Sequence, residues 1–89
     1  MGHLTQKNLN NLLQEAKEKI EIGGIYFHHK RPKNYYLIEA VGFIESAEEI
    51  CVVYRALYGK RIVWVRTLKN FLDEVNITGR KTKRFIKVA

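Results

Sequence analysis

Cysteine and proline each occur only once in this chain, as Cys51 and Pro32, and glycine only six times. A lone cysteine excludes an internal disulfide, and with no second thiol nearby it excludes a cysteine metal knuckle. Cys51 sits in the apolar run Ile50-Cys51-Val52-Val53 and reads as a buried, inert thiol. No apolar stretch approaches the roughly 18 to 20 residues that cross a bilayer. The N-terminus lacks the basic start and apolar stretch of a secretory signal, so the expected setting is cytoplasmic. Repeats, low-complexity tracts and a glycine-rich phosphate loop are also missing. What remains is an ordinary globular composition, 46% hydrophobic and 28% charged. At 89 residues one domain is expected, because a chain this short buries only roughly 60 to 65% of its unfolded surface and cannot build two cores.

Acidic residues are the scarcer charge, nine against sixteen Lys and Arg, and the net charge is +7. The surplus is unevenly placed. Up to residue 22, Lys7, Lys17 and Lys19 balance Glu15, Glu18 and Glu21, so the whole excess belongs to residues 23–89. Such asymmetry suits an anionic partner, and it equally suits a soluble protein that holds its charge away from zero.

The first 23 residues read as an amphipathic helix. Thr5 is placed as an N-cap, Leu4 and Leu9 as a hydrophobic staple, and Leu9, Leu12, Leu13, Ala16 and Ile20 follow a 3.6-residue period until Gly23-Gly24. Its apolar stripe is expected to cover an open side of the sheet that follows. Residues 24–89 switch to strand chemistry. Strands are expected over 25–29, 35–44 with a bulge at Gly42, 50–57 and 61–66, with a turn over 30–34 and a tight hairpin at Tyr58-Gly59-Lys60. Thr67 reads as the cap of a helical turn carrying Leu68, Phe71, Leu72 and Val75, Gly79 as its break, and residues 84–88 as the last strand. The expected fold is mainly β: a small five-stranded SH3-like barrel with an N-terminal α-helix and a short helical turn before the last strand.

Three blocks carry a family resemblance: Gly24-Ile25-Tyr26-Phe27-His28-His29-Lys30, Val52-Val53-Tyr54-Arg55-Ala56-Leu57-Tyr58-Gly59 and Trp64-Val65-Arg66, followed by Phe71, Gly79 and Arg84-Phe85. In order and spacing they resemble the bacterial family catalogued as domain of unknown function 1653. The resemblance implies an SH3-like barrel and no established activity. The chain is a divergent member, with His29 at a usual Tyr or Phe, Arg31 at a usual Gly, Thr67 at a usual Pro, and Phe43 near a usual His. Matched to the family's polar and aromatic positions, the candidate ligand site is His28, Lys30, Glu45, Tyr54, Arg55, Trp64 and Arg66. The competing reading makes Tyr54 and Trp64 core aromatics and pairs Arg55 and Arg66 with Glu39 or Glu45 across the sheet.

Catalytic material is thin. His28 and His29, as neighbours in a strand, are expected on opposite faces and so unable to share a metal. No Ser-His-acid or Cys-His pattern is readable, Glu48-Glu49 reads as a solvated turn, and Asn76-Ile77-Thr78 as a polar turn. The expectation is a binding module rather than an enzyme, with no metal and no cofactor. Nucleic acid is the first candidate partner. Lys30, Arg31 and Lys33 lie near Tyr35 and Tyr36, Lys60 and Arg61 follow Tyr58, and Arg80, Lys81, Lys83 and Arg84 precede Phe85; basic groups among aromatics neutralise phosphates while rings stack on bases. The alternatives are a protein partner held in an aromatic groove of Tyr26, Tyr54 and Trp64, or a small-ligand site around His28, Tyr54, Arg55 and Arg66.

Overall fold

A computed structural model describes residues 5–89. Helix α1 spans Gln6–Lys19 and begins where the capping chemistry places it, with Thr5 Oγ1 accepting from the Asn8 N–H at 3.1 Å. The staple partner Leu4 lies outside the described residues. The helix stops one turn before the glycines: the Ile20 N–H closes the last turn on the Ala16 carbonyl at 2.8 Å, and Ala16 and Ile20 are the residues it buries. Gly23 then takes φ 87°, a left-handed conformation in which a side chain is strained. Its N–H donates to the Ile38 carbonyl at 2.8 Å, which ties the linker to the sheet.

Strands β1 (Ile25–His28), β2 (Arg31–Ile44), β3 (Glu49–Ala56), β4 (Val63–Thr67) and β7 (Phe85–Lys87) form one antiparallel sheet in the order β4-β3-β2-β1-β7. Several sequence expectations shift. Arg31 to Asn34 belong to β2 rather than to a turn, since the chain reverses at His29-Lys30. Gly42 pairs in register with Cys51, and the irregularity in the β2–β3 ladder falls between Ile38 and Ala40. The helical spacing read as far as Val75 ends sooner. Helix α2 covers only Leu68–Leu72, capped by Thr67 Oγ1 accepting from the Asn70 N–H at 3.1 Å. Beyond it a separate hairpin forms from β5 (Glu74–Ile77) and β6 (Arg80–Lys83), and residue 84 is a bend before β7. Glu-Val-Asn-Ile alternates polar with apolar, and Thr78 and Gly79 at φ 52° and 82° supply the turn, so local strand chemistry overrides the helical spacing.

Tyr26, Tyr36, Ile38, Val52, Tyr54, Ala56 and Phe85 share one face of the sheet, and Ile20 and Phe71 are brought onto it from outside. Phe71 lies flat on Phe85 with centroids 4.1 Å apart and meets Tyr26 and Tyr54 edge-on at 5.6 and 5.5 Å. Edge-to-face pairs of this kind are worth about 0.5 to 1.5 kcal/mol each beyond their area burial. The sheet is open, with β4 and β7 as its edges. The expected barrel closure is therefore not made by a strand ladder, and Phe71 packs as an aromatic plug on Phe85 of the edge strand β7 and on Tyr54 and Tyr26 beside it. The expected buried thiol is present: Cys51 is 3% exposed, and burial pushes its pKa up. No described helix is long and apolar enough to cross a membrane.

Candidate functional site

The aromatic face is covered at one end and open at the other. At the open end a cleft of about 180 Å³ is lined by His28 from β1, Tyr36 from β2, Tyr54 from β3, Trp64 and Arg66 from β4, and Phe85 from β7. Every strand of the sheet contributes. The register explains the convergence, because Tyr54 stands opposite Trp64, Val52 opposite Arg66, and His28 opposite Phe85. Directly opposed residues in a ladder share a face.

Arg66 is held in place by three contacts. Its Nε donates to the Tyr54 hydroxyl at 2.8 Å, its Nη1 donates to Asn70 Oδ1, and its guanidinium carbon lies 5.2 Å from the Phe85 ring centroid. The rest of the guanidinium fork has no protein partner among the described residues. Burial raises the Tyr54 pKa, and the bond from Arg66 opposes that rise. The Tyr36 hydroxyl pairs with that of Tyr58, and burial together with this pairing pushes the Tyr36 pKa up to about 12.

His28 is held neutral. Burial lowers its pKa to about 4, and the charges of His29, Arg66, Arg84 and Lys30 push the same way. The Lys30 N–H donates to His28 Nδ1 at 3.2 Å, which leaves the ring proton on Nε2. The imidazole therefore enters the cleft as a neutral donor ringed by cations. Among the described residues no carboxylate lines the cleft, and Arg84 is the one of these cations with an acidic partner, Asp73 at 3.7 Å.

A second hollow of about 240 Å³ adjoins the first, formed by Ala56, Tyr58, Gly59, Lys60, Ile62 and Trp64. Trp64 is the wall between the two and is 49% exposed. The sequence carries a signal for this surface: no Asp or Glu occurs from Ile50 to Leu72.

Of the ligand-site candidates, His28, Tyr54, Trp64 and Arg66 meet in the cleft, and Lys30 joins them only through its backbone N–H, which donates to His28 Nδ1. Two do not join them. Arg55 follows Tyr54 in the strand and so takes the opposite face, where Nε meets Glu39 Oε2 at 2.9 Å and Nη1 donates to the Arg61 carbonyl at 3.1 Å. That pairing was one of the readings open from sequence. Glu45 lies at a different hollow beside Leu9, Phe43 and Glu48. The separation expected of the two histidines is also overturned, since their ring centroids are 4.6 Å apart. β1 ends at His28, so the alternation of faces stops before His29. Among the described residues, no group of three or more His, Cys, Asp or Glu is placed to hold a metal.

The basic candidates divide in the same way. Lys30 and Arg84 lie close enough to act on His28, Arg31 acts on Tyr36, and Lys60 lines the adjoining hollow. Arg61 turns the β3–β4 loop at φ 54°. Lys83 lines a third hollow with Lys19, Tyr26, Phe71, Leu72 and Lys87, while Lys33, Arg80 and Lys81 are exposed on β2 and β6. The sequence places Tyr36, Tyr58 and Phe85 beside basic residues as stacking rings but outside the ligand site; the fold puts Tyr36 and Phe85 in the cleft and Tyr58 in the adjoining hollow.

The architecture is that of a small, mainly β domain with an N-terminal helix and a cationic aromatic cleft on an open sheet. The family of proteins of unknown function DUF1653 matches residues 24–87, and the chain belongs to it. A crystal structure of a protein belonging to this family, from Bordetella bronchiseptica, is 26% identical in sequence. The similarity covers 74% of this chain and 85% of that one, with a TM-score of 0.64. A comparison with curated proteins finds no match.

Proposed function

We propose that the domain is a binding module for single-stranded nucleic acid, with the cleft and its adjoining hollow as the contact surface. One observation carries this reading. Trp64, half exposed, stands between two hollows that hold Arg66 and Lys60 and have no carboxylate in either lining. A ring so placed offers a face for a base, and the cations beside it meet the flanking phosphates. Lys30, Arg31 and Arg84 extend the positive rim past His28 and Tyr36. The protein-groove reading is less well supported in its original form, because Tyr26 and Tyr54 are 6% and 4% exposed and only Trp64 of the three rings is accessible.

Binding rather than catalysis fits the same cleft. Among the described residues it presents no serine, cysteine or carboxylate, and its imidazole accepts a backbone N–H instead of facing a nucleophile. We also read the fold as an opened relative of the SH3-like barrel, with the Phe71–Phe85 stack in place of the closing ladder.

The test is fluorescence anisotropy of labelled single-stranded oligonucleotides at about 50 and about 200 mM salt. About four phosphate contacts on a single strand correspond to a log–log salt slope near about −3. Trp64→Ala should cost about 1 to 3 kcal/mol of binding by removing a stacked base. Absence of binding at the lower salt, or binding that ignores salt, overturns the proposal.

A further inference from the structure

Strand β4 is a regular, exposed edge whose one inward charge, Arg66, sits toward its C-terminal end. Ile62, Val63, Trp64 and Val65 follow one another at 51%, 40%, 49% and 57% exposed, so apolar side chains stand uncovered on both faces. Natural sheets blunt such an edge with proline, a bulge, an inward charge or extreme shortness. The opposite edge, β7, is only three residues long and ends in Lys87. Strand β4 has five residues in regular register with β3 and no proline.

The phase of its backbone follows from one bond. The Ala56 N–H donates to the Ile62 carbonyl at 2.9 Å, so Ile62 belongs to a hydrogen-bonded pair with β3. Antiparallel ladders alternate such pairs with open ones, which directs the backbone of Trp64 and Arg66 to β3 as well. The N–H and C=O groups of Val63 and Val65 therefore face away from the sheet. Their side chains lie on the face opposite the cleft, as does Arg55, the ladder partner of Val63.

We propose that the β4 edge docks an extended segment of a partner protein, acidic at its ends and apolar between, as an added antiparallel strand. Main-chain bonds to Val63 and Val65 set its register, and alternate apolar side chains cover Val65 on one face and Trp64 on the other. Charge decides the occupant. The stretch from Ile50 to Leu72 has no acidic residue, and β4 is bracketed by Lys60 and Arg61 at one end and Arg66 and Lys69 at the other. A second copy paired antiparallel to the first would set these cationic ends against each other. An acidic segment meets both. This inference uses the outer edge of β4 and does not depend on nucleic acid entering the cleft.

The experiment titrates the full chain with a synthetic peptide of alternating valine and threonine flanked by two glutamates at each end, followed by amide NMR. The Val63 and Val65 amides should shift, and their hydrogen exchange should slow at least about tenfold on saturation at millimolar peptide. A control with lysine ends should bind more than tenfold more weakly. Val65→Pro removes an outward N–H without breaking a bond to β3, so it should abolish binding while the far-UV circular dichroism is retained. Val65→Asp leaves the backbone intact and should weaken binding by repulsion, which keeps the test decisive if the proline variant fails to fold. Unchanged Val63 and Val65 amides overturn the proposal. So does protection that appears with protein concentration alone, which marks a second copy, or with oligonucleotide alone, which assigns the edge to nucleic acid. Retained oligonucleotide binding in Val65→Asp, together with lost peptide binding, separates the edge from the cleft.

Discussion

Arg66→Met is the most informative single change, because it removes the polar head of Arg66 while keeping a flexible apolar stem over Phe85. The Tyr54 side chain is 4% exposed, and its hydroxyl accepts one protein hydrogen bond, from Arg66 Nε. Stranding a buried hydroxyl costs about 1 to 3 kcal/mol. Loss of the guanidinium over the Phe85 ring adds about 0.5 to 1 kcal/mol. The expected total is about 1.5 to 4 kcal/mol, and for a domain of this size each kcal/mol lowers the melting temperature by about 4 to 8 °C. Thermal and urea melts followed by circular dichroism measure the loss. A double-mutant cycle with Tyr54→Phe assigns it. If the cost arises from the orphaned hydroxyl, deleting that hydroxyl recovers part of it, and the two changes together cost at least about 1 kcal/mol less than their sum. Strict additivity of the two losses, or a loss under about 0.5 kcal/mol for Arg66→Met alone, would refute the reasoning.

Two further expectations concern the core and the histidine. Phe71→Ala, at a residue 1% exposed and stacked on Phe85, should cost about 3 to 5 kcal/mol in urea denaturation; a cost near that of a surface change would show that the plug does not hold the sheet. Because the pKa of His28 is lowered in the fold, from the usual 6.5 to about 4, the unfolded chain binds the proton more readily between those values. Stability is therefore expected to fall as pH drops from about 6.5 towards 4, and His28→Gln should flatten that slope. An unchanged pH profile in the variant would show that other groups set the acid sensitivity.

The sequence was most legible where local chemistry and burial agree. Thr5 and Thr67 each cap a helix as their side chains require, and the apolar period of α1 ends at the buried Ile20. Four of the sheet strands lie close to where β-branched and aromatic residues placed them, and the buried Cys51 follows from its apolar neighbours. Legibility failed where two local signals competed. Leu68 to Val75 carries helical spacing, yet the Asn-Ile-Thr-Gly turn stabilises a hairpin, and the chain leaves the helix after one turn and a fraction.

The cleft was half legible for a different reason. Residue type and motif spacing pointed to His28, Tyr54, Trp64 and Arg66, but the same reasoning included Arg55 and Glu45, which the fold sends elsewhere. Whether a side chain faces the cleft depends on strand parity, and parity depends on where β1 ends and where the β2–β3 ladder slips between Ile38 and Ala40. By itself the sequence determined most of the elements, the apolar stripe, the buried thiol and the positive charge, all of which arise from neighbours a few residues apart. Only the tertiary structure decided that the sheet stays open, that Phe71 packs onto its aromatic face, that five strands converge on one cationic cleft, and that β4 is left with an exposed apolar edge. Those outcomes are contacts between residues distant in the chain, and local propensity carries no term for them.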